Sequence, residues 1–223
     1  MTDRPSPNFD ERPADAAIDM LVLHYTGMAT GAEALARLTD PETEVSAHYL
    51  IEEDGRVFRL VDEARRAWHA GASSWRRVRG VNACSIGIEL VNPGHDWGYR
   101  PFPEAQMAAL EALALDILAR HPIPPRNVVG HSDVAPTRKR DPGELFDWRR
   151  LAANGIGLWP EPAAGPDDVM ATLAAIGYET TAFSATVGAF QRHYRPADVH
   201  GYADPETRAL IGGLAALVGE APG

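Results

Sequence analysis

Gly130-His131-Ser132-Asp133-Val134-Ala135-Pro136-Thr137-Arg138-Lys139-Arg140-Asp141-Pro142-Gly143 holds the only lysine of the chain, eight residues after a histidine and two before an aspartate. Of the 21 lysine and arginine residues, the other twenty are arginine. Retaining one lysine there points to a need for a compact, mobile ammonium at that place. The preceding Asn127-Val128-Val129-Gly130 reads as a short strand ending at His131. A second apolar run, Ile18-Asp19-Met20-Leu21-Val22-Leu23, ends at His24. Two strands that each deliver a histidine at the C-terminal end suggest a sheet whose edge gathers polar side chains above a rigid base.

Working outward, residues 31–39 have helical composition. The runs 47–52 and 56–61 flank Asp54-Gly55, a hairpin signal because such a turn needs positive φ. Residues 84–91 read as a further strand, broken by Pro93-Gly94. Pro103-Glu104 opens a helix to about Arg120, with Met107, Leu110, Leu113, Ala114, Ile117 and Leu118 at helical spacing and His121-Pro122 as its stop. Residues 145–151 read as a closing helix. Strands interleaved with helices predict an α/β (α+β) architecture, a central mixed sheet flanked by helices. Gly155 to Pro166 is a linker by composition, and three helical patterns follow at 166–176, 184–194 and 205–217. The predicted organisation is a lead-in at 1–17, a catalytic domain at 18–155, a linker at 156–166 and a small three-helix domain at 167–223.

Bulk properties narrow the function. With 223 residues, 45% apolar and 23% charged, the chain matches an ordinary globular protein. A net charge of −10 argues against a nucleic-acid partner, which needs a basic face. The one cysteine, Cys84, excludes an internal disulfide framework and reads as a buried structural thiol. No stretch is long and apolar enough to span a bilayer.

His24, His131 and Asp141 together offer three N/O donors, the number that leaves a zinc ion one open position for water. Each alone is weak evidence, since a lone histidine at a strand end is more often a hydrogen-bonded structural residue than a ligand. Glu89, in the apolar run Ser85-Ile86-Gly87-Ile88-Glu89-Leu90-Val91, is costly unless it faces a polar cavity. It would also fit the solvent face of an edge strand. The combined reading is a zinc hydrolase, with Glu89 as proton carrier and Lys139 meeting developing negative charge.

His24-Tyr25-Thr26, Ser46-Ala47-His48-Tyr49-Leu50-Ile51, Trp68-His69-Ala70-Gly71, Asn82-Ala83-Cys84-Ser85-Ile86-Gly87-Ile88-Glu89-Leu90 and His131 through Gly143, with Asp54-Gly55 between, resemble the type-2 N-acetylmuramoyl-L-alanine amidases. These share a fold with the peptidoglycan recognition proteins. The resemblance runs from about residue 18 to 152. It implies Zn2+ held by His24, His131 and Asp141, Glu89 as acid/base and Lys139 as oxyanion stabiliser. Ala47 stands where phage and animal relatives carry a catalytic tyrosine, and Asp141 where they carry cysteine. Both features match the bacterial amidases that act on muropeptides, including 1,6-anhydro forms. The tail, through 187–194 and 201–207, resembles a small peptidoglycan-binding domain.

Trp68, His69, Asn82, His48 and Arg138 are the expected substrate contacts, His48 being equally a structural hydrogen-bonding residue. Trp75, Trp97 and Trp148 could stack on sugars or pack in the core. His95, His121, His193 and His200 read as solvated. The alternative function is a non-catalytic peptidoglycan recognition module; a metallopeptidase on another substrate would lack its His-Glu-x-x-His helix. The expected partners are muropeptides and peptidoglycan fragments, with no expectation for oligomeric state. The expected compartment is the cytoplasm, or the periplasm if a signal peptide has been removed.

Overall fold

The computed structural model describes residues 1–220. Six strands form the central sheet: β1 (Thr2–Asp3), β3 (Met20–Tyr25), β4 (Tyr49–Ile51), β5 (Val57–Arg59), β9 (Ser85–Leu90) and β10 (Val128–Gly130). Two ribbons flank it, β2 (Phe9–Glu11) with β6 (Arg65–Ala67) and β7 (Ser74–Trp75) with β8 (Val78–Arg79). The helices are α1 (Gly31–Thr39), α2 (Gly94–Trp97), α3 (Glu104–Arg120), α4 (His131–Val134), α5 (Trp148–Ala153), α6 (Val169–Ile176), α7 (Phe183–Tyr194) and α8 (Pro205–Glu220). Sheet order is β1-β5-β4-β9-β3-β10, with β4–β9–β3–β10 mutually parallel and β4–β5 the antiparallel hairpin. The architecture is the mixed sheet with flanking helices that the sequence predicts.

Strands β3 and β9 lie inside the sheet and are covered on both faces, which is why each reads as a near-continuous apolar run. Alternation along them separates two environments. Leu21, Leu23, Ile86, Ile88 and Leu90 meet Met107, Leu110, Leu113 and Ile117 of α3 in one core. Met20 and Val22 share the other core with Leu173, Ile176, Val187, Phe190, Ile211 and Leu214 of the last three helices. His24 continues the second face.

Several expectations change. Residues 1–17 are an integral part of the fold. β1 and β2 pair with β5 and β6, and Arg12 reaches inward to the carbonyls of Asn82, Ala83 and Ser85. The stretch 156–166 has no helix or strand, yet Ile156 and Pro160 are buried. The last three helices share a core with the sheet. They are tied further by Asp133, whose carboxylate accepts from Gly130 N (2.7 Å), His193 Nδ1 (2.7 Å) and Tyr178 Oη (2.8 Å). His193 is therefore buried, stacked 3.8 Å from Trp148, and not solvated. Trp75 and Trp148 are likewise core residues, while Trp97 is exposed. The closing helix starts at Trp148, later than predicted, because the Asp147 side chain caps it by accepting from Arg150 N at 3.0 Å.

His121 is also engaged. Its Nε2 lies 2.7 Å from Glu63, which in addition accepts from Tyr49 Oη (2.7 Å) and Arg120 Nη2 (2.7 Å), tying β4 to the end of α3. Burial alone would raise the Glu63 carboxyl, but these donors outweigh it and bring it down to about 2 from 4.5. A carboxyl depressed on folding adds stability above its unfolded value, lost as pH falls towards the folded one. Wild type is therefore expected to exceed Glu63→Gln in urea midpoint at pH 6, with the gap closing between about pH 4.5 and pH 2. A gap that persists unchanged at the acid end would contradict this role.

Candidate active site

Parallel register brings the functional side chains together. In β3 and β9, His24 and Glu89 are direct cross-strand partners. In β10, Gly130 pairs with Leu23, so the next residue, His131, arrives beside His24. His131 opens α4 rather than ending the strand, with the Asp133 carboxylate accepting from Gly130 N beneath it. His24 Nδ1 lies 2.9 Å from His131 Nδ1 and 3.2 Å from Asp141 Oδ2, and His131 Nδ1 lies 3.0 Å from the same oxygen. All three residues are buried.

This triangle fits a small cation. Donor atoms about 2.0–2.1 Å from a tetrahedral zinc stand roughly 3.3 Å apart. Burial, and next the adjacent His131, lower His24 to about 4 and keep its ring neutral.

The far side of each imidazole sets its tautomer. His131 Nε2 donates to the Ala70 carbonyl at 3.1 Å, leaving the Nδ1 lone pair free. For His24 the direction follows from a chain of bonds. Ser85 Oγ donates to the Val81 carbonyl (2.7 Å), so it accepts from His69 Nε2 (3.0 Å), and His69 Nδ1 accepts from His24 Nε2 (3.0 Å). A carbonyl cannot donate, which orients the whole row. His69 fits because Gly87 has no side chain; a Cβ there would lie 2.4 Å from His69 Cγ.

Above the triangle is a cavity of about 330 Å³ lined by Trp68, His69, Glu89, Arg138 and Lys139, among others. Glu89 Oε2 has no hydrogen-bond partner among the described residues. Burial, and then the charge of Asp141, push its carboxyl well above the ordinary value, while Lys139 pulls the other way. Glu89 thus stands on an interior strand facing the cleft, not on an edge strand facing solvent.

The expected substrate contacts divide. Trp68 and Arg138 line the cleft, although the Arg138 guanidinium is drawn to the carbonyls of Ala70 (3.0 Å) and Ala72 (3.1 Å). His69 borders the cleft but has both nitrogens committed, so it orients His24 instead of reaching for a ligand. His48 is a correction: fully buried, it accepts from Gly87 N (2.9 Å) and its Nε2 meets the Arg65 carbonyl (3.1 Å), so it cannot touch substrate. Asn82 is not among the residues lining the cleft; its Oδ1 accepts from Ala70 N (2.8 Å) and shapes the loop carrying the Ala70 carbonyl. Sequence reasoning missed Ser85. Its signal was the alternation Ser85-Gly87-Glu89, every second residue small or polar in an apolar strand. A second group, Asp198, His200 and Asp204, also clusters, but Arg195 bridges both of its carboxylates.

Residues 14–144 match the family described as N-acetylmuramoyl-L-alanine amidase. The N-acetylmuramoyl-L-alanine amidase AmiD of Escherichia coli K12 is 41% identical over 94% of this chain and 87% of its own length. The 1,6-anhydro-N-acetylmuramyl-L-alanine amidase AmpD of Haemophilus influenzae is 36% identical over 67% of this chain and 89% of its own length. Among solved structures, the E. coli AmiD complex with anhydro-N-acetylmuramic acid-L-Ala-D-γ-Glu-L-Lys superposes with a TM-score of 0.83 at 38% identity, covering 96% of this chain and 99% of that one. AmpDh3 of Pseudomonas aeruginosa with anhydromuramic pentapeptide gives 0.84 at 34% identity, covering 96% and 98%. The AmiD and AmpDh3 matches extend through the last three helices, whereas AmpD matches only two thirds of the chain. The chain belongs to the N-acetylmuramoyl-L-alanine amidase family.

Proposed function

We propose that this chain hydrolyses the amide between the lactyl group of N-acetylmuramic acid, the 1,6-anhydro form included, and the L-alanine of the stem peptide. His24 Nδ1, His131 Nδ1 and Asp141 Oδ2 would hold Zn2+. The observation that carries it is the convergence of those three donors within 3.2 Å of one another, with Glu89 on the adjoining strand. A donor set of two imidazoles and one carboxylate suits zinc and leaves one position open. When bound, the ion supplies Lewis acidity and makes water a usable nucleophile near neutral pH.

The chain's own residues do the rest. The unpartnered Glu89 Oε2 takes a proton from the attacking water and returns it to the departing alanine nitrogen. Its raised affinity for protons suits both halves of that exchange. Lys139 borders the same cleft and faces the carbonyl oxygen as it becomes negative. Substrates named for the AmiD and AmpDh3 structures, an anhydromuramyl tripeptide and pentapeptide, support the same substrate class here.

Glu89→Gln and Lys139→Ala are each expected to lower kcat on an anhydromuramyl peptide by about 10²–10³, with one zinc per chain retained. Release of free peptide, followed by chromatography, checks this; near-normal turnover in either variant would remove its assigned role. His69→Ala is expected to weaken zinc binding by about 10–100-fold in a chelator competition, because His24 loses the partner of its Nε2. An unchanged zinc affinity would show that His69 does not orient the ligand.

A further inference from the structure

Arg12 directly follows β2 and lies ahead of the matched family segment 14–144. Its guanidinium turns inward and donates to four main-chain carbonyls: Glu63 (3.0 Å), Asn82 (3.1 Å), Ala83 (2.9 Å) and Ser85 (2.8 Å). Three of these belong to one short stretch, the single turn Val81–Ala83 and the first residue of β9. Burial works against the charge, and the carbonyl dipoles, each costly to leave unpaired, offset it. A rigid fork of donors can serve several converging carbonyls at once, which a single ammonium cannot.

Two of the held residues lead by hydrogen bonds to the two imidazoles of the metal triangle. Ser85 Oγ accepts from His69 Nε2 (3.0 Å), and His69 Nδ1 accepts from His24 Nε2 (3.0 Å). Asn82 Oδ1 accepts from Ala70 N (2.8 Å), and the Ala70 carbonyl accepts from His131 Nε2 (3.1 Å). Arg12 also passes His48, its Nη2 lying 3.0 Å from His48 Nε2. Gly87 N donates to His48 Nδ1 (2.9 Å), so the proton of that ring sits on Nε2 and is donated to the Arg65 carbonyl (3.1 Å). Burial, and then the Arg12 charge, lower His48 to about 4, which leaves its Nδ1 free to hold Gly87, the residue that makes room for His69.

We infer that Arg12 is a positioning residue for the metal site, one guanidinium fixing the outer partners of both zinc-binding imidazoles, through Ser85 to His24 and through Asn82 to His131. The inference rests on the zinc reading and deepens it. The carbonyls of residues 82, 83 and 85 converge on one place, where their dipoles repel unless a cation lies between them. Without Arg12 that stretch relaxes, Ser85 Oγ and Asn82 Oδ1 move, and both rows loosen together. An imidazole freed from its outer partner can carry its proton on the shared centre, where it competes with the ion.

The test uses the full chain with Zn2+ alone in a chelator competition, and the visible absorption of the Co2+-loaded protein as a report of ligand geometry. Arg12→Ala is expected to bind Zn2+ about tenfold more weakly than wild type and to shift the Co2+ bands. Ser6→Ala is the control, since it removes another buried bond of the same N-terminal stretch, from Ser6 Oγ to the Leu38 carbonyl (2.6 Å). It is expected to lower the urea midpoint and leave zinc affinity and the Co2+ spectrum unchanged. Should Arg12→Ala fail to fold, Arg12→Lys keeps the charge without the fork and is expected to show the same two changes at smaller size. Wild-type zinc affinity and Co2+ spectrum in a folded Arg12 variant, or equal weakening in Ser6→Ala, would overturn the positioning role and leave the zinc reading standing. No zinc bound by wild type would overturn the zinc reading and this inference with it.

Discussion

Three lone pairs held within about one van der Waals contact of each other, in a buried place, are the constraint on which the rest of this structure depends. Such an arrangement is unfavourable by itself, since two imidazole nitrogens and a carboxylate oxygen present only electron density to one another. It persists because rigid elements impose it from below. The parallel pairing of β10, β3 and β9 sets His24, Glu89 and the start of α4 at one edge of the sheet. Hydrogen bonds from the far side of each ring then keep the proton away from the shared centre.

The division of the sheet into two faces explains how one small fold supplies both stability and chemistry. The face against α3 is apolar, with Tyr49 of β4 among its aliphatic residues, and holds the strands in place. The opposite face is aliphatic along β3 up to His24, under the C-terminal helices, while β9 beside it is small or polar throughout, with Ser85, Gly87 and Glu89 paired to Met20, Val22 and His24. Gly87 is the pivot of that change, because only its missing side chain lets the His69 ring lie between the strand and His24. The tail joins the same scheme. Tyr178 and His193 grip Asp133 two residues after His131, so the last three helices brace the turn that carries a ligand.

Much of the site was legible because it depends on local patterns. An apolar strand ending in histidine, a carboxylate inside another apolar strand and a solitary lysine beside an aspartate are all visible in one dimension, and the family resemblance joins them. The short helix headed by His131 was not legible, since Val128-Val129-Gly130-His131 carries the same apolar pattern whether the histidine ends a strand or begins a turn. His193 and His121 read as solvated because their partners, Asp133 and Glu63, lie 60 and 58 residues away in sequence. Composition alone marked 156–166 as a linker and the tail as a separate domain. It is shape complementarity with the sheet, through residues such as Phe190 and Leu173, that joins the tail to the first core. His48 illustrates the reverse error: a histidine inside a family motif can be there for the backbone of Gly87 rather than for substrate.

Anomalous diffraction at the zinc edge from crystals of the zinc-loaded protein tests the central claim most directly. One strong peak is expected about 2.0–2.2 Å from His24 Nδ1, His131 Nδ1 and Asp141 Oδ2. A peak at Asp198, His200 and Asp204 instead, or none at saturating zinc, would contradict it.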